Sequence, residues 1–332
     1  MESGEDAIQV SILYCTLTPW FIYYLLFVII NDNEQNIKGW NNGMKAYQYN
    51  NQVVIEGIKD FNLTHTFECG QCFRWDREQD GSYTGVAYGK VINLKINKGL
   101  LVIKNTSLED FHNFWKYYFD LERDYGAIKD RLSKDEVLER AVSYGWGIRI
   151  LNQETWECLV SFIISSNNII PRIKKIIKNI SERYGQPIGF GDKVYYSFPQ
   201  PQDLYNKTMD DLAFCRSGYR CKYILDAARA VCEGRIVLDQ LKELDSSAAR
   251  KELMKVQGIG PKVADCILLF SLQKYDVFPT DVWVRRVMGH FYLGEDVSIK
   301  DVQRYSAEQY GNLAGFAQQY LFYYARELKI GR

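Results

Sequence analysis

An excess of charge of either sign is missing from this sequence: 41 lysines and arginines face 41 aspartates and glutamates. No global field therefore draws the chain to a polyanion, and any nucleic-acid site has to be a local patch. A second cysteine pair is missing as well. Of the eight cysteines (Cys15, Cys69, Cys72, Cys158, Cys215, Cys221, Cys232 and Cys266), only Cys69 and Cys72 stand in a C-x-x-C spacing. A zinc or iron–sulfur site wants two more ligands at a comparable spacing, and none follows Cys266. No metal and no other cofactor is expected, and the cysteines read as reduced intracellular thiols. Internal repeats and low-complexity tracts are absent too, which argues against a solenoid. A cleavable signal peptide is not expected, because Glu2, Glu5 and Asp6 stand where lysines or arginines would be needed.

What is present is an ordinary globular balance, 47% apolar and 25% charged over 332 residues, enough for two or three packed domains. The 24 tyrosines suit base stacking and hydrophobic cores equally well. Val10 to Ile30 is 21 residues without a charge. As a helix it is long enough to span a bilayer, with Pro19 tolerated inside it. The preferred reading is instead a mis-called start, with Met44 as the true first residue.

Residues 52–105 read as β-structure. Val91 to Ile96 partly alternates, Leu100 to Ile103 is a short apolar run, and Gly81-Ser82 and Asn97-Lys98-Gly99 supply turns, so antiparallel pairing is expected. From about residue 108 the period becomes helical, with Phe111, Phe114, Trp115, Tyr118 and Phe119 on one face. Trp156 to Ile164 reads as a buried helix stopped by Ser165-Ser166-Asn167-Asn168, and another helix follows Pro171. Tyr223–Cys232, Arg250–Val256, Pro261–Leu272 and Gly315–Leu328 complete a mostly helical C-terminal region. The fold class is α+β: an extension over 1–43, a small antiparallel β domain over 44–135, and a helical domain over 136–332.

The most informative segment is Val256-Gln257-Gly258-Ile259-Gly260-Pro261-Lys262. One helix ends, Gly258 and Gly260 make a tight turn, and Pro261 opens the next helix, whose free N–H groups can hold a phosphate. Lys262 follows the turn at once, and Phe278-Pro279-Thr280-Asp281 arrives 19 residues later. Taken alone, Lys262 reads as a solvated first-turn residue and Asp281 as a helix cap. Together they resemble the helix-hairpin-helix DNA glycosylase superfamily, whose hairpin precedes a Gly/Pro-rich loop and an essential aspartate. The lysine marks the branch with combined glycosylase and lyase activity. That resemblance implies Lys262 as amine nucleophile and Asp281 as partner carboxylate. The lysine must be neutral to attack, so burial or a nearby cation is expected to favour its free amine.

Four further segments resemble 8-oxoguanine DNA glycosylases in particular. In Gly70-Gln71-Cys72-Phe73-Arg74-Trp75 the resemblance makes the Gly70 carbonyl the acceptor for the N7 hydrogen that only the oxidised base carries. In Glu157 to Arg172 it makes Asn167 the filler of the hole left by the extruded base and Arg172 a reader of the orphaned cytosine. Arg172, Lys174, Lys175 and Lys178 would form a local phosphate-binding surface, although a charge run is usually a solvated face. In Ser217 to Tyr223 the resemblance makes Tyr219 the wedge and Arg220 its neighbour on the cytosine. In Gly315 to Phe322 it puts Gln318 on the base edge and Phe322 on the base face, with Cys266 opposite. Two positions depart from the family pattern: Gln257 replaces a proline, and Trp283 replaces a histidine, which puts one phosphate contact in doubt.

The implied activity is excision of 8-oxoguanine opposite cytosine from duplex DNA, followed by strand cleavage. The implied partner is duplex DNA containing oxidised guanine, bound by a monomer. The implied place is the cytoplasm, or the nucleus in a eukaryote, with a membrane involved only if residues 10–30 are an anchor. The alternatives are a related glycosylase for another purine and a non-catalytic DNA-binding module.

Overall fold

The computed structural model describes residues 38–39 and 43–330. The apolar run Val10–Ile30 lies outside the described residues. Among those described, no helix is long and apolar enough to cross a membrane.

Seven antiparallel strands form the N-terminal sheet: β1 (Lys38–Gly39), β2 (Lys45–Tyr49), β3 (Gln52–Glu56), β4 (Trp75–Arg77), β5 (Tyr83–Ala87), β6 (Lys90–Asn97) and β7 (Leu100–Lys104). Their order is β1-β2-β3-β7-β6-β5-β4. Lys98-Gly99 joins β6 to β7 with both φ angles positive, 49° and 80°, a turn whose twist matches that of the strands it connects. Alternate side chains point inward: Val53 and Ile55, Ile92 and Leu94, Leu101 and Ile103 are all fully buried. The aromatic stripe after residue 108 covers this face. Phe111, Trp115, Tyr118 and Phe119 are buried, while Phe114 is half-buried beside Tyr88. Two indoles find polar partners there, Trp75 Nε1 on Tyr118 Oη and Trp115 Nε1 on Thr106 Oγ1, each at 2.9 Å.

The remainder is mostly helical. Helices Thr155–Ser165 and Pro261–Ser271 run through the centre, buried along nearly their whole length, with Phe162 and Phe270 stacked at 5.4 Å between them. Around them pack Ile170–Tyr184, Arg220–Cys232, Ser246–Leu253, Val282–Met288 and Ala314–Glu327. The α+β class stands. Two elements depart from the sequence reading. A short helix, Leu63–Glu68, interrupts the stretch read as strand, and a hairpin of Pro187–Phe190 with Lys193–Tyr196 sits in the stretch read as helix. The helix is set by its cap, the Asn62 side chain accepting from the His65 amide at 3.0 Å. Six residues are too few for a period to be read. The hairpin strands lie largely on the surface, so they carry no apolar alternation.

One buried side chain ties the sheet half to the helical half. Gln71 Nε2 donates to the carbonyls of Thr66 (2.8 Å) and Arg149 (2.7 Å), and its Oε1 accepts from the Leu151 amide at 2.9 Å. Gln71→Leu strands the Arg149 carbonyl and the Leu151 amide away from water, whereas the Thr66 carbonyl keeps the Cys69 thiol as a donor. Each such orphan costs about 1–3 kcal/mol, so the variant is expected to lose at least about 2 kcal/mol. A lower thermal midpoint in calorimetry checks this; an unchanged midpoint contradicts it.

Candidate active site

The turn between helices Ser246–Leu253 and Pro261–Ser271 needs glycine at position 258. Gly258 has φ +86°, and a Cβ there would lie 2.4 Å from the Tyr223 ring. The Gln257 amide is held by Asp226 Oδ2 at 2.9 Å. Pro261 occupies the first turn and no side chain caps the new helix, so the Lys262 and Val263 amides are left without intrahelical partners. That helix start suits an anion.

Lys262 is half-buried, its Nζ 5.5 Å from the centre of the Phe162 ring. Cys266, one turn further along, is buried. Burial pushes its thiol up to about 11; the neighbouring Lys262 amine opposes that rise and the charges of Asp265 and Asp281 add to it. The amine and the Asp281 carboxylate thus both act on one thiol. Asp281 is also a helix cap: its Oδ1 accepts from the Val284 amide at 2.8 Å. The loop before it is pinned by Gln303, whose Nε2 donates to Phe278 O at 2.7 Å and Thr280 Oγ1 at 2.8 Å.

Gly70 sits beside Phe322. Its φ is +91°, and a Cβ there would lie 3.2 Å from Phe322 Cε1. Gln319 Nε2 holds the preceding carbonyl, Cys69 O, at 3.0 Å. The segment continues into Arg74, which pairs with Glu157 at 3.0 Å; burial pushes the Glu157 carboxyl up and Arg74 opposes the rise. Gln318 is 5% exposed, yet its Oε1 has no hydrogen-bond partner among the described residues. A buried amide oxygen without a donor is costly, and a bound group carrying an N–H would satisfy it. Trp283 meets the Phe322 ring edge to face at 4.9 Å, and its Nε1 donates to Ile330 O at 2.9 Å.

The third group lies on the loop after Thr155–Ser165, the first turn of Ile170–Tyr184, and the junction that opens Arg220–Cys232. Asn167 is exposed at φ +49°, and Tyr219 is 51% exposed. Arg172 is exposed and donates to Arg216 O at 3.2 Å. Arg220 differs from the sequence reading: it is 4% exposed and donates to the carbonyls of Ser166, Asn167 and Ser217. Its guanidinium here straps the Asn167 loop to the Tyr219 loop instead of reaching outward. The four-cation run is also partly committed, since Lys174 pairs with Asp76 at 2.8 Å and Lys178 with Glu182 at 3.7 Å. The sequence reading missed Ile169, 68% exposed beside Asn167, and Gln319; neither carries a chemical signal in one dimension.

Comparison with known proteins shows what the chain is similar to. Residues 53–159 match the N-terminal domain of 8-oxoguanine DNA glycosylase, and residues 160–310 match the HhH-GPD superfamily of base excision DNA repair proteins. A structure of MBOgg1 in complex with a low-affinity DNA ligand is 51% identical, covering 86% of this chain and 99% of its own, with a TM-score of 0.85. The 8-oxoguanine glycosylase/lyase of Clostridium acetobutylicum, in complex with double-stranded DNA containing cytosine opposite 8-oxoG, is 46% identical. It covers 86% of this chain and 98% of its own, with a TM-score of 0.84. The N-glycosylase/DNA lyase of Saccharomyces cerevisiae is 31% identical over 69% of this chain and 68% of its own.

A buried thiol pushed up to about 11 stays protonated and unreactive at neutral pH. Iodoacetamide at pH 8 is therefore expected to leave Cys266 unmodified in the folded protein and to modify it after denaturation. Peptide mass spectrometry checks this, and rapid labelling of the native protein contradicts it.

Proposed function

This chain belongs to the HhH-GPD superfamily of base excision DNA repair proteins and carries the N-terminal domain of the 8-oxoguanine DNA glycosylases, and we propose that it excises 8-oxoguanine opposite cytosine with Lys262 as nucleophile and Asp281 as partner carboxylate. The observation that carries the reading is that the Lys262 amine and the Asp281 carboxylate lie near enough to Cys266 for both charges to act on its thiol.

The damaged nucleotide leaves the stack, because its sugar cannot be reached inside a duplex. Its base lies on Phe322 with Cys266 opposite, and Gln318 Oε1 takes a hydrogen bond from the Watson–Crick edge. The Gly70 carbonyl accepts the N7 hydrogen of 8-oxoguanine; guanine presents a lone pair there and is repelled. The hairpin glycines Gly258 and Gly260 let the backbone approach a phosphate. Asn167 and Tyr219 fill and wedge the gap in the duplex, and Arg172 reads the cytosine left behind. Arg220 reads it too, once released from the carbonyls it now straps.

As the C1′–N9 bond breaks, its electron pair leaves with the base and positive charge builds on the sugar. The Asp281 carboxylate stabilises that charge. Lys262, after giving up a proton, bonds C1′, and opening of the sugar ring yields a Schiff base. Loss of a C2′ proton then expels the 3′ phosphate and breaks the strand. Asp281 serves both purposes because capping occupies one oxygen and leaves the other for the sugar. The protein acts as a monomer wherever the DNA lies, in the cytoplasm or, in a eukaryote, the nucleus.

Borohydride is expected to trap wild-type protein covalently on a duplex with 8-oxoguanine opposite cytosine, and Lys262→Gln to abolish the adduct. A wild type that traps only on other lesions points to a related glycosylase; one that never traps points to a binding module. Asp281→Asn keeps the helix cap, because asparagine caps as well as aspartate. Single-turnover excision is expected to fall by about two to three orders of magnitude while DNA affinity changes by less than about threefold. Equal losses of affinity and rate contradict the assigned role. Arg172→Ala is expected to relax the preference for cytosine without lowering the thermal midpoint, whereas Arg220→Ala, which breaks the strap, is expected to lower both. Excision opposite each of the four bases, with thermal melts, measures this.

A further inference from the structure

The mechanism above assigns nothing to Trp283, although its surroundings are unusually well defined. It is the second residue of the helix that Asp281 caps. Its ring meets Phe322 at 4.9 Å with the planes 83° apart, the edge-to-face arrangement that aromatic quadrupoles favour. Its indole N–H is anchored on Ile330 O at 2.9 Å, in the turn that ends the Ala314–Glu327 helix. The side chain is therefore held by the helix that carries Gln318 and Phe322, while its backbone lies two residues from Asp281.

Phe322 is half-buried, and its Cε1 edge faces Gly70, which carries no side chain to hold the ring. A phenyl ring at the margin of a core can turn about its two side-chain torsions, and a flat base stacks on it in one orientation only. The edge of the indole restricts that turning.

We propose that Trp283 is a positioning residue for base recognition: it fixes the orientation of the Phe322 ring and ties it to Asp281. One seven-residue helix then sets both ends of the everted nucleotide, the sugar through Asp281 directly and the base through Trp283 and Phe322. The distance between the stacking ring and the carboxylate becomes a property of that helix. A nucleotide whose base does not settle on Phe322 leaves its sugar displaced from Asp281. The inference rests on the 8-oxoguanine reading given above, because it needs a base to be stacked.

An abasic site has a sugar but no base, so it separates the two halves of the arrangement. Trp283→Leu removes both the ring edge and the N–H, whereas Trp283→Phe keeps an aromatic edge and loses only the anchor. Single-turnover excision from the 8-oxoguanine:cytosine duplex is expected to fall about tenfold in Trp283→Leu. Cleavage of a preformed abasic site is expected to change by less than about threefold, and Trp283→Phe to recover excision to within about threefold of wild type. Equal losses on both substrates in Trp283→Leu would mean that the tryptophan only supports the fold around Asp281, and they overturn the proposal. So does unimpaired excision. Should Trp283→Leu not fold, Trp283→Met, which also lacks the aromatic edge, carries the test: excision falling more than abasic cleavage supports positioning, and an unchanged ratio of the two activities overturns it. A wild type that cleaves abasic sites but never excises 8-oxoguanine removes the functional reading and this inference with it; a competent wild type with indifferent variants removes the inference alone.

Discussion

Buried amide side chains hold the turn on which the base site depends. Residues 69–71 turn between the Leu63–Glu68 helix and strand Trp75–Arg77, against the helical half of the molecule, where backbone groups are cut off from water. Gln319 takes up the Cys69 carbonyl, and Gln71 satisfies Thr66, Arg149 and Leu151. With both neighbours fixed, Gly70 is held at φ +91° against the Phe322 ring. The role proposed for the Gly70 carbonyl, telling one base from another by a single hydrogen, calls for a fixed position, and hydrogen bonds in a low-dielectric interior give it that rigidity.

A second economy appears at Asp281. The same carboxylate caps a helix and faces the neighbourhood of Lys262 and Cys266. The cap fixes its rotamer without another residue, and Gln303 fixes the loop that precedes it. The two sequence readings of this residue, helix cap and chemical carboxylate, are therefore compatible. Capping is how the fold aims it.

Charge is handled locally throughout. With no net charge to rely on, the molecule gathers exposed cations and uncapped helix N–H groups in a few places and pairs many others. Lys174 and Lys178 show the limit of reading a basic run as a surface, because acidic side chains from strand and helix neutralise both. Arg220 shows the limit of carrying a role from a motif. Its position in the chain matches a base reader, yet here the guanidinium satisfies three loop carbonyls. An outward role requires those bonds to be exchanged for bonds to a base.

Local chemistry is what the sequence by itself determined: the glycine turn with Pro261 behind it, the lysine and aspartate at their spacing, the long apolar helices, and the alternating strands. Each is a pattern of residue types along one stretch of chain, so each leaves a mark in one dimension. The short Leu63–Glu68 helix and the exposed hairpin left none, because six residues and a solvated surface impose no period. Only the tertiary structure decided that the charges of Lys262 and Asp281 both reach Cys266, that Gly70 meets Phe322 across more than 250 residues of chain, and that Trp283 meets that ring edge to face. Such meetings are set by how whole elements pack, and packing depends on the shapes of all the side chains between them.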